Sequence, residues 1–243
     1  MIDEKETLQA LKLPRETHVQ RNFPFNRLAP QLTSENMKLF QKTVETHGVR
    51  LLATVNTKTT NIPVYEDEET IFQEIHFFQI KIKDLKWVKR VYRIIAEAMP
   101  YPLLIRFVTR SETVWIGAIH QKIAKSGLLK MQKCYTTNPK INERVYLKSW
   151  AFAQIDTYHL KAFYENLLHQ MVRIELSETY GSNTGPGLEK STTRLEAIKA
   201  LDKEISSCIT KAKKEVQMNK RIEWQMKVNE LKVKKEKWIK GET

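Results

Sequence analysis

Residues 75–122 read "IHFFQIKIKDLKWVKRVYRIIAEAMPYPLLIRFVTRSETVWIGAIHQK", and the hydrophobic period changes twice within them. In 75–83, His76, Phe78, Ile80 and Ile82 alternate with Phe77, Gln79, Lys81 and Lys83. That period of two marks a strand with one apolar face and one largely polar face. In 85–99 the apolar residues Trp87 or Val88, Val91, Ile94, Ile95 and Ala98 recur at three- and four-residue steps, while Lys89, Arg90 and Arg93 project elsewhere. This is an amphipathic helix, and Pro100 and Pro102 end it. The period then returns to that of strands in "LLIRFVT" (103–109) and "TVWIGAIHQK" (113–122), joined by a short polar turn around Ser111.

Working outward, "VRLLATVNT" (49–57) and "LLKMQKCYT" (128–136) read as further strands. Ahead of them, Thr33 or Ser34 caps a helix over 34–48, with Met37, Phe40 and Val44 on one face and Gly48 as its stop. The order strand, strand, helix, strand, strand, strand predicts an α+β fold with a largely antiparallel sheet and packed helices. A helix over 157–176, with Leu160, Phe163, Leu167, Leu168, Met171 and Ile174 at helical spacing, is expected to lie on that sheet. Residues 11–33 carry three prolines and read as an extended segment. The Gly, Ser, Asn and Pro cluster "SETYGSNTGPG" (177–187) divides a sheet domain, 1–180, from a C-terminal helical region, 191–243, with 181–190 as linker. In that region Leu195, Ile198, Leu201, Ile205, Cys208 or Ile209, Ala212 and Val216 form one stripe, and Trp224, Val228, Leu231 and Trp238 form another, offset from it. The offset fits a helical hairpin or one long coiled-coil helix whose seam slips.

Composition bounds the class. The 243 residues are 41% apolar with five Trp, eight Tyr and nine Phe, which predicts a folded chain. Cys134 and Cys208 define neither a disulfide framework nor a zinc site, so a reducing compartment is expected. No window approaches the roughly 20 apolar residues of a membrane span, and the charged start has no secretory pattern. A cytoplasmic protein without membrane association follows as the expectation. The net charge of +13 is uneven. Residues 71–148 hold 15 Lys and Arg against 5 Asp and Glu, and residues 191–243 hold 14 against 8. A polyanion such as DNA or RNA is therefore a candidate partner.

Catalytic templates fit poorly. "GSNTGPGLEKST" lacks the Gly-Lys step of a phosphate loop and follows a predicted helix. The six histidines have no metal-binding spacing. One broad class of metal-dependent nucleases sets an acidic residue near a strand start and a (Glu/Asp/Gln)-x-Lys on the next strand. Glu66, Asp67 or Glu68 with Gln79 and Lys81 can be laid on that template, but Gln79 supplies only a neutral oxygen. No catalytic residue, metal site or cofactor is assigned. The cations of the middle region, Lys81, Lys83, Lys89, Arg90, Arg93, Arg106, Arg110, Lys122, Lys125, Lys130 and Lys133, form a nucleic-acid surface if several share a face. Trp224, Val228, Leu231 and Trp238 are the candidate partner-binding residues, since a docking helix needs its apolar residues in register.

Four stretches, "LKLPRETHV" with "FPFNRL", "FFQIKIK", "LLIRFVTRSETVWIGAIHQK" and "KKEVQMNKRIEWQMKVNELKVKKEKW", resemble a prokaryotic family, domain of unknown function family 4391. Genes of that family commonly lie beside helicase and DNA-methyltransferase genes. The resemblance thus implies a part in restriction-like, anti-phage defence. On it, the chain is expected to be a non-catalytic accessory subunit contacting DNA, a helicase or methyltransferase partner, or both, with self-association through the C-terminal helices as a further expectation. The alternatives are a metal-dependent nuclease effector and a DNA-independent scaffold.

Overall fold

A computed structural model describes residues 2–24, 27–99, 101–123, 129–182 and 187–242. Lys125, Pro100 and the centre of the expected linker, 183–186, lie outside the described residues. The chain divides into two compact units, Met1–Met171 and Val172–Thr243.

The first unit is built on a six-stranded sheet. Its strands are β1 (His18–Asn22), β2 (Val44–Asn56), β5 (Glu74–Ile82), β6 (Leu103–Val108), β7 (Thr113–Lys122) and β8 (Leu129–Thr136), side by side in that order. A separate two-stranded ribbon holds β3 (Tyr65–Glu66) and β4 (Ile71–Phe72). All neighbours in the large sheet are antiparallel except β5 and β6, which are parallel and joined through α4 (Val88–Ala98). Parallel neighbours need such a crossover, and the helical stretch ahead of Pro100 and Pro102 supplies it.

The apolar face of β5, Phe78, Ile80 and Ile82, packs with α4 through Val88, Val91, Tyr92 and Ile95, and with Phe40 of α2 (Ser34–Thr43). The helix expected over 34–48 stops at Thr43, and β2 begins at Val44. The β-branched run Thr43, Val44, Thr46 favours extension, and Gly48 ends no helix. It sits in the β2 bulge between Val44 and Val49, where a Cβ would lie 2.7 Å from the Glu45 carbonyl oxygen.

Three helices lie outside the sequence expectation. They are α1 (Glu4–Leu11), the single turn α3 (Thr57–Thr60) and α5 (Glu143–Ser149). Asp3 caps α1 in a capping box with Glu6, and the helix buries Leu8 and Leu11. Asn142 caps α5, whose Tyr146 is buried beside Trp150, itself edge-on to Trp115 at 5.2 Å. The sequence pattern extends α6 (Leu160–Tyr180) past Met171, so the division into units falls inside this helix. Its Tyr164 hydroxyl accepts from the Ala118 amide at 2.9 Å and donates to the Leu103 carbonyl at 2.8 Å. Gly117 permits that approach, since a Cβ there would meet Leu168 at 2.6 Å.

In the second unit α7 (Leu188–Lys214) and α8 (Met218–Lys240) pack against each other as a hairpin. The seam holds Ile205, Cys208, Val228 and Leu231, with Leu201 and Trp224 half-buried at its margin. Val216, read as the end of the first stripe, stands 95% exposed in the connecting loop. Among the described residues no helix is long and apolar enough to cross a membrane.

Candidate functional site

Strand register aligns a polar row across five strands. Asn22 of β1 pairs with Arg50 of β2, Arg50 with Gln79 of β5, Gln79 with Arg106 of β6, and Arg106 with Trp115 of β7. Two cations embedded in apolar strands require counter-charges, because desolvating an unpaired guanidinium costs several kcal/mol. Two helices supply them, each with its first residue. Glu4 opens α1 and Glu143 opens α5, where a carboxylate also suits the positive end of the helix dipole.

Arg106, 1% exposed, binds Glu143 through two parallel contacts, Nε to Oε1 at 2.7 Å and Nη2 to Oε2 at 2.8 Å. Its Nη1 donates to the Gln79 carbonyl oxygen, and Nη2 also donates to the Ile2 carbonyl at 2.7 Å. The Gln79 amide nitrogen donates to Glu4 at 2.8 Å, and Trp115 Nε1 donates to Glu143 at 2.7 Å. At the other end Arg50 donates to Asn22 and to the Gln20 carbonyl, both at 3.1 Å. Arg50 Nε lies 2.6 Å from Glu4 Oε2, an ion-pair contact whose angle makes no hydrogen bond. The row is therefore a nearly closed network of two arginines and two glutamates around a neutral amide. It ties α1 and α5 to the sheet.

This geometry bears on the nuclease template. Gln79 and Lys81 share a sheet face, but both ends of the Gln79 amide are taken, and its neighbours on either strand are arginines. The acidic loop is held elsewhere. Lys122 binds Glu66 at 2.8 Å. Asp67 accepts from the Tyr65 hydroxyl at 2.7 Å and from the amides of Glu69 and Thr70. The Tyr65 hydrogen bond, foremost, holds the Asp67 carboxyl well below the usual carboxylate range. Among the described residues no group of three His, Cys, Asp or Glu side chains is placed to hold a metal ion.

The expected nucleic-acid residues do not form one surface. Lys89, Arg90 and Arg93 lie together, exposed on the outer side of α4, with Arg90 paired to Glu35 at 2.8 Å. Burial pushes the Cys134 thiol up in pKa, against the charges of Lys89 and Arg93. Strand alternation puts Lys81, Lys130 and Lys133 on the opposite face of the sheet. Lys83 donates to the Lys42 carbonyl, Lys122 is paired with Glu66, and Arg110 stands exposed in the β6–β7 turn. Arg106 is a correction: it is buried in the polar row and presents nothing to a phosphate. Val228 and Leu231 are buried in the seam between α7 and α8, Trp224 is half-buried with the Lys211 ammonium 4.9 Å from its ring, and Trp238 is half-buried.

A family model, Domain of unknown function (DUF4391), matches residues 11–234. The chain belongs to this family. No curated protein and no solved structure matches it. The matched stretch carries Arg50, Gln79, Arg106 and Glu143 of the row, while Glu4 stands ahead of it.

Sequence reasoning missed Arg50, Glu4 and Glu143. Two signals were present, a lone arginine inside "VRLLATVN" and another inside "LLIRFV", each anomalous in an apolar strand. The partners were not readable, because Glu4 and Glu143 are 46 and 37 residues away from the arginines they meet.

Proposed function

We propose that this family member is a non-catalytic accessory subunit of a prokaryotic anti-phage, restriction-like defence complex, contacting DNA, a helicase or DNA-methyltransferase partner, or both. The observation that carries the non-catalytic reading is the polar row. Where a metal-dependent nuclease on this sheet would set carboxylates beside the x-Lys strand, this chain sets Arg50 and Arg106 on either side of Gln79 and neutralises them with Glu4 and Glu143. A divalent ion brought there would meet two guanidinium groups, and Mg²⁺ is held by oxygen donors. The setting in a defence locus rests on the family resemblance. DNA contact is supported by the exposed cations of α4 and by the basic C-terminal hairpin.

Two assays on the purified chain test the reading. With Mg²⁺ or Mn²⁺ it is expected to leave DNA and RNA uncut, and a cleavage abolished by Lys81→Ala overturns the non-catalytic assignment. A pull-down of the tagged chain with its neighbouring gene products, with and without nuclease treatment, is expected to retain a helicase or methyltransferase. Retention of neither, with no DNA bound, overturns the accessory role.

A further inference from the structure

The hairpin seam uses one side of α8, and the other side carries a second apolar stripe. Met218, Ile222, Met226 and Val233 follow one another at steps of four, four and seven residues, which returns them to one helical face. They are 67%, 50%, 60% and 59% exposed, while Val228 and Leu231, about half a turn round the helix, are 4% and 5% exposed. Among the described residues of α7 and α8 none covers the outer stripe. Cations flank it: Arg221, Lys232, Lys234 and Lys237 are exposed and have no ion pair among the described residues, and the three glutamates of the helix, Glu223, Glu230 and Glu236, are exposed as well. The two other lysines near mid-helix, Lys227 and Lys235, reach inward to Glu204 and Asp202 of α7.

We infer that the outer face of α8 is a docking surface for an acidic amphipathic segment of another protein, whose apolar residues cover Met218, Ile222, Met226 and Val233 while its carboxylates meet the bordering lysines and arginine. Charge selects this occupant. The helix holds eight Lys and Arg against three Glu, so a second copy laid on the same face would set two cationic borders together. Bare DNA would use the cations and leave the apolar residues wet. An acidic helix satisfies both. Met218 and Met226 suit that task, since the unbranched methionine side chain adapts to irregular partner surfaces. This inference deepens the accessory-subunit reading by naming the surface that a protein partner would use, and it rests on that reading.

The experiment uses the full chain and two synthetic helical peptides that share a leucine stripe, one flanked by Glu and the other by Lys. The Glu peptide is expected to bind, and the Lys peptide is not. Ile222→Gln with Met226→Gln lies outside the seam, so far-UV circular dichroism is expected to stay unchanged while affinity for the Glu peptide falls about tenfold or more. Lys232→Gln with Lys234→Gln is expected to weaken the same binding less, and to flatten its salt dependence. Failure of the Glu peptide to bind, or binding that the Ile222 and Met226 substitutions leave intact, overturns the inference. So does loss, in that variant, of self-association in sedimentation equilibrium or of binding to phosphatidylglycerol vesicles, each of which names a different occupant. If the peptide fails while the pull-down still captures a neighbouring gene product, only the α8 surface falls and the accessory role stands.

Discussion

The sheet unit and the hairpin are both rich in cations, and they treat them differently. In the sheet, the two arginines planted in apolar strands are answered by Glu4 and Glu143 at 2.6 and 2.7 Å, and one of them is 1% exposed. On α8, four cations flank an exposed apolar stripe and make no ion pair among the described residues. A count of lysines and arginines ranks the middle of the sequence as the more basic region. Pairing narrows the difference, because Arg90, Arg106 and Lys122 are already matched by Glu35, Glu143 and Glu66, and a charge neutralised inside the fold has little left for a partner. The lesson is that composition locates charge, while only register and burial tell whether that charge is available.

The comparison breaks most visibly if Arg106 proves dispensable. Arg106→Met leaves Glu143, 11% exposed at its side chain, without its buried counter-ion, and the expected loss of stability is about 3–5 kcal/mol. Urea unfolding measures it. Arg106→Lys is expected to recover only part, since an ammonium cannot make both contacts to one carboxylate. The exposed pair Arg90–Glu35 is the control. Arg90→Met is expected to cost about 0–1 kcal/mol, in the range of surface pairs. A similar small loss for Arg106→Met means the row is ornamental.

Much of the architecture was legible because periodicity survives in short windows. The run from Ile75 to Lys122 announced a strand, a helix and two strands, and each stands where its period put it. The elements that escaped are those whose stability comes from distant contacts. The helix α1 spans eight residues and depends on Leu8, Leu11 and Glu4 meeting the fold, and α5 depends on Trp150 and Arg106. The start of β2 escaped for a different reason: a helical spacing of Met37, Phe40 and Val44 ran on into a β-branched stretch that the sheet claimed. The polar row was half legible, as arginines without visible partners. The outer stripe of α8 was fully legible, yet the tryptophans of the seam drew the reading to the opposite face.

A second way to separate the two regions is acid. His120, 4% exposed on β7, is held neutral by burial, which pushes its pKa down to about 4 from 6.5, and its Nε2 has no hydrogen-bond partner among the described residues. His76 is shifted down as well, again by burial and partly offset by Glu74. For a histidine depressed on folding, the unfolded chain takes up the proton first. Stability is therefore whole above about pH 6.5, falls as the pH drops toward about 4, and falls no further through this group below that. The expected loss through His120 is about 3 kcal/mol at most. Residues 188–240 contain no histidine, so the α7–α8 seam is expected to keep its hydrogen-exchange protection across the same window while the β6–β8 amides lose theirs. His120→Gln should flatten the curve of the sheet unit. An unchanged slope assigns the acid response to other groups.

The smallest expected effect tests the two faces of α8 against each other within one helix. Leu231 is 5% exposed and packs with Ile205, Cys208 and Val228, so Leu231→Ala removes buried methyl groups and leaves a gap that two helices alone close poorly. A hairpin has solvent near its seam, which places the cost at the low end for such a substitution, about 2 kcal/mol. Met226 sits five residues earlier at 60% exposure, on the outer face, and yields to Ala at a cost within about 0.5 kcal/mol, since Ala is also the better helix former. Hydrogen exchange of the α7 and α8 amides reads both variants in the intact chain, free of any contribution from the sheet. The prediction is an ordering as much as a magnitude: the inner residue stabilises the hairpin and the outer one does not. Equal losses would mean that Met226 already has a partner inside this chain, and the outer face would no longer be available for another protein.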